Sequence, residues 1–173
     1  MRLIRNLKKP FVIIFLATLI LFIPVFINPS LILDRGNDLQ EFFWPIYYFV
    51  KNQILINHQF PFWNNLILSG TPLLPDPQSP LFYLPNIIFL FLPLNTAFIT
   101  SFFVHIFLAG IFFFLCARKG FKFSGFSSLV GSLLYIFSPK LAGYLEAGHV
   151  GLVFSWTWIP LVILSVKMVA NKP

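Results

Sequence analysis

The sequence predicts an all-α integral membrane protein, with about four transmembrane helices and a large extracytoplasmic first loop. Three observations predict it. Hydrophobic residues make up 58% of the chain and charged residues 10%, against about 45–50% and 25% in soluble domains. Charge-free apolar runs recur at lengths that suit a bilayer, about 20 residues rising 1.5 Å each. Lys and Arg then gather on one side of those runs and Asp and Glu on the other.

Residues 1–9 carry Arg2, Arg5, Lys8 and Lys9 and no acid. Residues 10–33 follow without a charge. This run exceeds the roughly 7–15-residue core of a signal peptide and lacks its small-residue cleavage pattern. It therefore reads as an uncleaved first span, kinked or ended by Pro24 and Asn28-Pro29.

Residues 34–95 form the first loop. It holds four of the five carboxylates, Asp34, Asp38, Glu41 and Asp76, so it is where chemistry is expected. From Asp38 to Ile56 the apolar residues Leu39, Phe43, Ile46, Phe49, Val50 and Ile54 share one helical side. Gln40, Glu41, Lys51 and Asn52 lie opposite. That pattern predicts an amphipathic helix on the membrane surface, bent at Pro45. Asp38 and Glu41 have the spacing of a capping box, with Asp for the usual Ser or Thr. The rest of the loop is rich in Pro and Gly, which forbids long regular structure.

Residues 77–117 carry no Lys, Arg, Asp or Glu. One straight helix over them would be about 60 Å long, twice the hydrocarbon core. The run must break, and Leu92-Pro93-Leu94-Asn95 is the break. The piece at 81–92 is too short to cross and is placed at the outer interface, while 96–117 forms the second span. A basic turn at 118–122 leads to a third span at 123–139. There Gly125, Ser127, Ser128, Gly131 and Ser132 suit close helix contact in lipid. An outer turn at 140–149 precedes the fourth span, 150–166, in which Trp156 and Trp158 are expected to pack against other helices. Residues 167–173 form a cytoplasmic end. They follow directly on an apolar run, so the chain reads as the N-terminal part of a longer protein.

With the N-terminus inside, nine of the twelve basic residues fall in cytoplasmic segments and all five acids fall outside. This bias matches the rule that sets membrane orientation. It also accounts for the net charge of +7 without a nucleic-acid partner; the expected surroundings are the lipid bilayer of the plasma membrane. Cys116 has no second cysteine and reads as a small packed residue. There is no Gly-rich phosphate loop, no HExxH and no Cys/His metal spacing.

The candidate site residues each carry two readings. Asp38 is a candidate base or a helix N-cap. Asp34 is a second candidate, or marks the end of the first span. Asp76, in Pro-Asp-Pro-Gln, either holds a divalent cation such as Mg²⁺ or Mn²⁺ or closes an Asx turn. His149, with Glu146 three residues earlier, either contacts a phosphate or catalytic carboxylate or caps a helix start. His105 lies inside a span, where an ionisable side chain faces the bundle and finds a partner.

Several short patterns recur in a known order. They are D-L-x-x-x-x-x-P from Asp38, P-F-W-N-x-x-x-x-x-G-T-P from Pro61, and D-P-Q-S-x-x-F-Y-x-P-N from Asp76. H-x-F-L-A-G from His105 and the run from F-S-P at Phe137 to G-H-V at Val150 follow. Together they resemble the YfhO-type membrane proteins, which belong to the broad class of glycosyltransferases with the GT-C fold. The resemblance implies transfer of a sugar from a polyprenyl-phosphate donor to an envelope acceptor on the outer membrane face. It implies Asp38 as the catalytic base, with Asp34 second, and substrate contacts from Asp76, Gln78, Glu146 and His149. The competing reading is a non-catalytic polytopic protein, a transporter or flippase subunit or an accessory protein for envelope polymers. A transporter places polar residues at mid-membrane on broken helices, whereas here the acids gather in the loops.

Overall fold

The computed structural model describes residues 8–33 and 36–170. The chain is mostly helical. Helix α1 is Lys8–Ile27. A π-helical turn, Leu39–Phe43, runs directly into α2, Trp44–Leu55. Helix α3, Leu94–Leu115, continues through a second π-helical turn, Cys116–Gly120. Helices α4, Gly125–Ile136, α5, Pro139–Glu146, and α6, Val150–Ala170, complete the bundle. Three helical stretches are long and apolar enough to cross a membrane: Lys8–Ile27, Leu94–Gly120 and Val150–Ala170. Their outward faces expose large apolar side chains such as Ile20, Ile27, Val162 and Val166, as expected of helices that meet lipid rather than water.

Helix α3 is the centre. Its residues Ala97, Phe98, Ile99, Ile106 and Ala109 are almost wholly buried. Helix α1 runs antiparallel to it, with Phe11 against Phe114 and Phe26 against Phe103. Helix α6 runs parallel to it, with Phe154 against Phe102 and Leu164 beside Gly120. One end of the bundle therefore gathers Lys8, Lys9, Arg118, Lys119 and Lys167. There the Lys167 ammonium sits 3.9 Å from the Phe121 ring centre.

Sequence expectations and structure differ at four places. The first helix stops at Ile27, not at residue 33, because Pro29 begins a 3-10 turn whose Asn28 cap accepts from Ser30 N–H. Residues 123–139 do not form one helix. Helix α4 has 12 residues, about 18 Å at 1.5 Å each. Ser138 is extended, as the residue before a proline prefers, and caps α5 at Leu141 N–H. The expected capping by Asp38 is also absent: its side chain makes no cap bond, and Asn37 Oδ1 accepts from Gln40 N–H instead. Finally, the apolar side of residues 39–50 packs on protein. Leu39, Phe43 and Tyr47 enter the main core, and Ile46 and Phe49 cover Leu73. Pro45 sits at the join between π and α turns, where its missing N–H and ring are accommodated by the wider turn.

The expected break forms at Leu92-Pro93, and Leu94 and Asn95 already belong to α3. Leu92 is extended, and its carbonyl accepts from the Lys51 ammonium at 2.6 Å. The small residues also act where helices cross. Ser128 and Ser132 are fully buried, each bonding a carbonyl one turn back. A Cβ at Gly110 would lie 2.6 Å from Ile14 Cγ2 and 3.2 Å from Ile136 Cγ2. Gly110→Ala is therefore expected to cost about 1–3 kcal/mol through overpacking. Thermal unfolding in lipid nanodiscs checks this, with Gly125→Ala, where the added Cβ meets nothing, as the neutral control.

Candidate functional site

Two distant segments build the site. Asn37, Asp38 and Leu39 dock on the turn between α5 and α6. Asp38 N–H donates to the Ala147 carbonyl at 3.2 Å. Asn37 Nδ2 donates to the Glu146 carbonyl at 2.8 Å. Gly148 sits between them with φ +75°, where a Cβ would strike the Leu39 backbone nitrogen. The turn can carry only glycine there.

This docking brings Asp38 Oδ2 to 3.0 Å from His149 Nε2. The Asp38 side chain is 61% exposed. His149 Nδ1 is buried and has no hydrogen-bond partner among the described residues. With Nε2–H donating to Oδ2, Asp38 Oδ1 takes no hydrogen bond from the described residues, on a side chain that is mostly exposed. Asp38 is thus the member of the pair that can meet an incoming hydroxyl, and His149 the member that orients it.

The pair lies at one end of a cavity of about 560 Å³. Its walls include Phe43, Pro80 and Phe154, with Gln78 on the loop side. Val150, Gly151 and Leu152, the first turn of α6, also line it. Tyr83 and Trp158 line it too, and Trp158 lies eight residues beyond Val150, about 12 Å further along α6. The Trp158 indole N–H donates to the Tyr83 hydroxyl oxygen at 2.8 Å, and that hydroxyl lies 2.6 Å from His105 Nε2. His105 Nδ1 lies 2.7 Å from the Ser101 carbonyl, and its own carbonyl accepts from Thr157 Oγ1. Burial pushes the Tyr83 phenol up, with the Trp158 N–H offsetting part of the effect. Burial likewise pushes the Tyr47 phenol up.

Of the residues the sequence singled out, Asp38, His149 and Gln78 come together on this cavity. Glu146 joins through its backbone carbonyl. Asp76 forms the Asx turn, its Oδ1 accepting from Gln78 N–H at 2.7 Å. Asp34 lies outside the described residues. Among the described residues no group of three or more His, Cys, Asp or Glu side chains could hold a metal. Sequence reasoning missed Tyr83, Asn86 and Trp158 as cavity residues. Trp158 was expected only to pack; the signal that could have found it is His105, whose place in a span demanded a partner.

No protein-family model matches the chain, and comparisons with curated proteins and with solved structures return no match. The local geometry carries its own test. Gly148→Ala should strain the left-handed turn by about 1–3 kcal/mol and lift residues 37–39 off it. Limited proteolysis should then cut the 36–43 segment faster than in the parent protein, while α1 and α3 stay protected.

Proposed function

We propose that the chain acts as a GT-C-like membrane glycosyltransferase of the YfhO type, moving a sugar from a polyprenyl-phosphate donor to an envelope acceptor. The observation that carries this reading is the Asp38–His149 pair at the end of a large, mostly apolar cavity. In the proposed orientation the basic end of the bundle faces the cytoplasm, following the positive-inside bias. A cytoplasmic N-terminus, 34–95 as the outer loop and four passes complete that topology, with the short α4 and α5 together making the third between the parallel α3 and α6. The cavity then opens on the outer face of the plasma membrane.

The chemistry follows from Oδ1 of Asp38. The acceptor hydroxyl gives its proton to Oδ1 as its oxygen attacks the anomeric carbon. The bond from that carbon to the phosphate oxygen breaks, and its electron pair leaves with the lipid phosphate. His149 fixes the carboxylate for this step. The described lining holds no Lys or Arg. The first turn of α6 supplies the positive end of a 21-residue helix instead, the kind of group that accommodates a phosphate. Across the described spans His105 is fully hydrogen-bonded at both ring nitrogens, which gives no support to an ion path of the transporter kind.

The test is transfer from radiolabelled polyprenyl-phosphate sugars by protein in lipid. Asp38→Asn keeps the shape and removes the base, so transfer should fall about 10²–10⁴-fold while thermal stability is retained. His149→Ala should reduce it less. Full transfer by folded Asp38→Asn would move the base elsewhere. No transfer from any donor by the parent protein would favour the non-catalytic, accessory reading.

A further inference from the structure

The hydrogen bonds at the inner end of the cavity run in one determined direction. The Ser101 carbonyl can only accept, so His105 Nδ1 must carry the proton that bonds it. The ring is buried, 3% exposed, and stacked on Phe154 with centroids 3.9 Å apart. In its neutral form Nε2 then has only a lone pair. The Tyr83 hydroxyl therefore donates to Nε2. The Trp158 indole can only donate, so it takes one of the two lone pairs on the Tyr83 oxygen. What Tyr83 has left is one lone pair and no proton.

We propose that Tyr83 is a specificity-determining acceptor and that His105 is the positioning residue that makes it one. The group it recognises is an uncharged donor, a hydroxyl on the head group of an amphiphile, and it disfavours an anionic oxygen. One neighbouring atom agrees in sign. Asn86 Nδ2 gives one of its two N–H groups to the Pro80 carbonyl at 2.9 Å and also bonds the Tyr47 phenol, while its Oδ1, an acceptor, has no partner among the described residues. Ser79 Oγ is also buried and without one, but as a hydroxyl it can donate as well as accept. An acidic oxygen brought to the Tyr83 hydroxyl would face an acceptor, whereas a sugar hydroxyl would satisfy it. The inference deepens the proposed function and rests on its cavity: sugar hydroxyls lie toward Tyr83, and the phosphate lies toward the first turn of α6.

The experiment reads binding with no transfer step, so it fails separately from the transferase reading. The protein in nanodiscs is titrated by calorimetry, against empty nanodiscs, with octyl β-glucoside below micelle formation and with octyl phosphate. Tyr83→Phe keeps the ring and should weaken the glucoside roughly 3- to 10-fold, the worth of one hydrogen bond, and leave octyl phosphate unchanged. His105→Phe keeps an aromatic ring against Phe154 and releases the Tyr83 proton. It should improve octyl phosphate relative to the glucoside. An equal loss of both probes in Tyr83→Phe would show a purely structural role and overturn the proposal. Unchanged glucoside binding, or no saturable glucoside binding by the parent protein, would overturn it as well. Glucoside binding through Tyr83 without any transfer would leave this inference standing and remove the enzyme.

Discussion

A backbone hydrogen bond from Asp38 N–H to the Ala147 carbonyl joins the first loop to the turn before the last helix. Everything at the site depends on that docking. Asn37 strengthens it from its side chain, and Gly148 permits it by having no Cβ where the Leu39 backbone passes. The pair Asp38–His149 is its consequence. An exposed carboxylate–imidazole hydrogen bond adds little stability, about 0–1 kcal/mol even where it is charged, so the pair does not hold the segments together. The backbone does, and the side chains are thereby placed rather than merely attracted. The buried Leu39, Phe43 and Tyr47 anchor the following turns in the same core as α3.

The second constraint is the apolar interior. In such surroundings a polar group without a partner is costly, and the bundle answers this locally. Thr18, Ser128 and Ser132 bond carbonyls one turn back on their own helices. His105 cannot do so with both nitrogens, and it reaches Tyr83 from the loop. That bond ties residues 77–86 against α3 and α6, which gives the cavity its inner wall. The loop and the spans are thus one structure at this point, stitched at one end by Asp38 and at the other by Tyr83.

The sequence made the helical class legible because apolar length and charge placement are one-dimensional signals. The break before Leu94 was legible for the same reason, since a run of that length cannot cross as one helix. Residues 123–139 misled because apolar composition cannot show that Ser138-Pro139 splits them. The side of residues 39–50 was read correctly, but its destination was not: a helical stripe looks the same whether it meets lipid or protein. Asp38 and His149 were both named, yet their meeting depends on Gly148, whose φ leaves no trace in composition. Several of the patterned segments of the chain serve folding. Trp63 lies against Gly70 across a two-residue strand pair, Trp63–Asn64 with Thr71–Pro72. Asp76 closes a turn, and Asn86 ties back to Pro80.

The central claim is that Asp38 and His149 form a hydrogen-bonded pair because the first loop is docked on the last turn. Solid-state NMR on the protein in lipid bilayers, with labelled histidine and aspartate, tests it most directly. A cross-peak between His149 Nε2 and the Asp38 carboxyl carbon, at the short range that a 3.0 Å N–O contact requires, is the predicted result. Loss of the peak in Gly148→Ala would tie it to the docking. Separate, water-exposed signals for the two side chains in the parent protein would contradict the account.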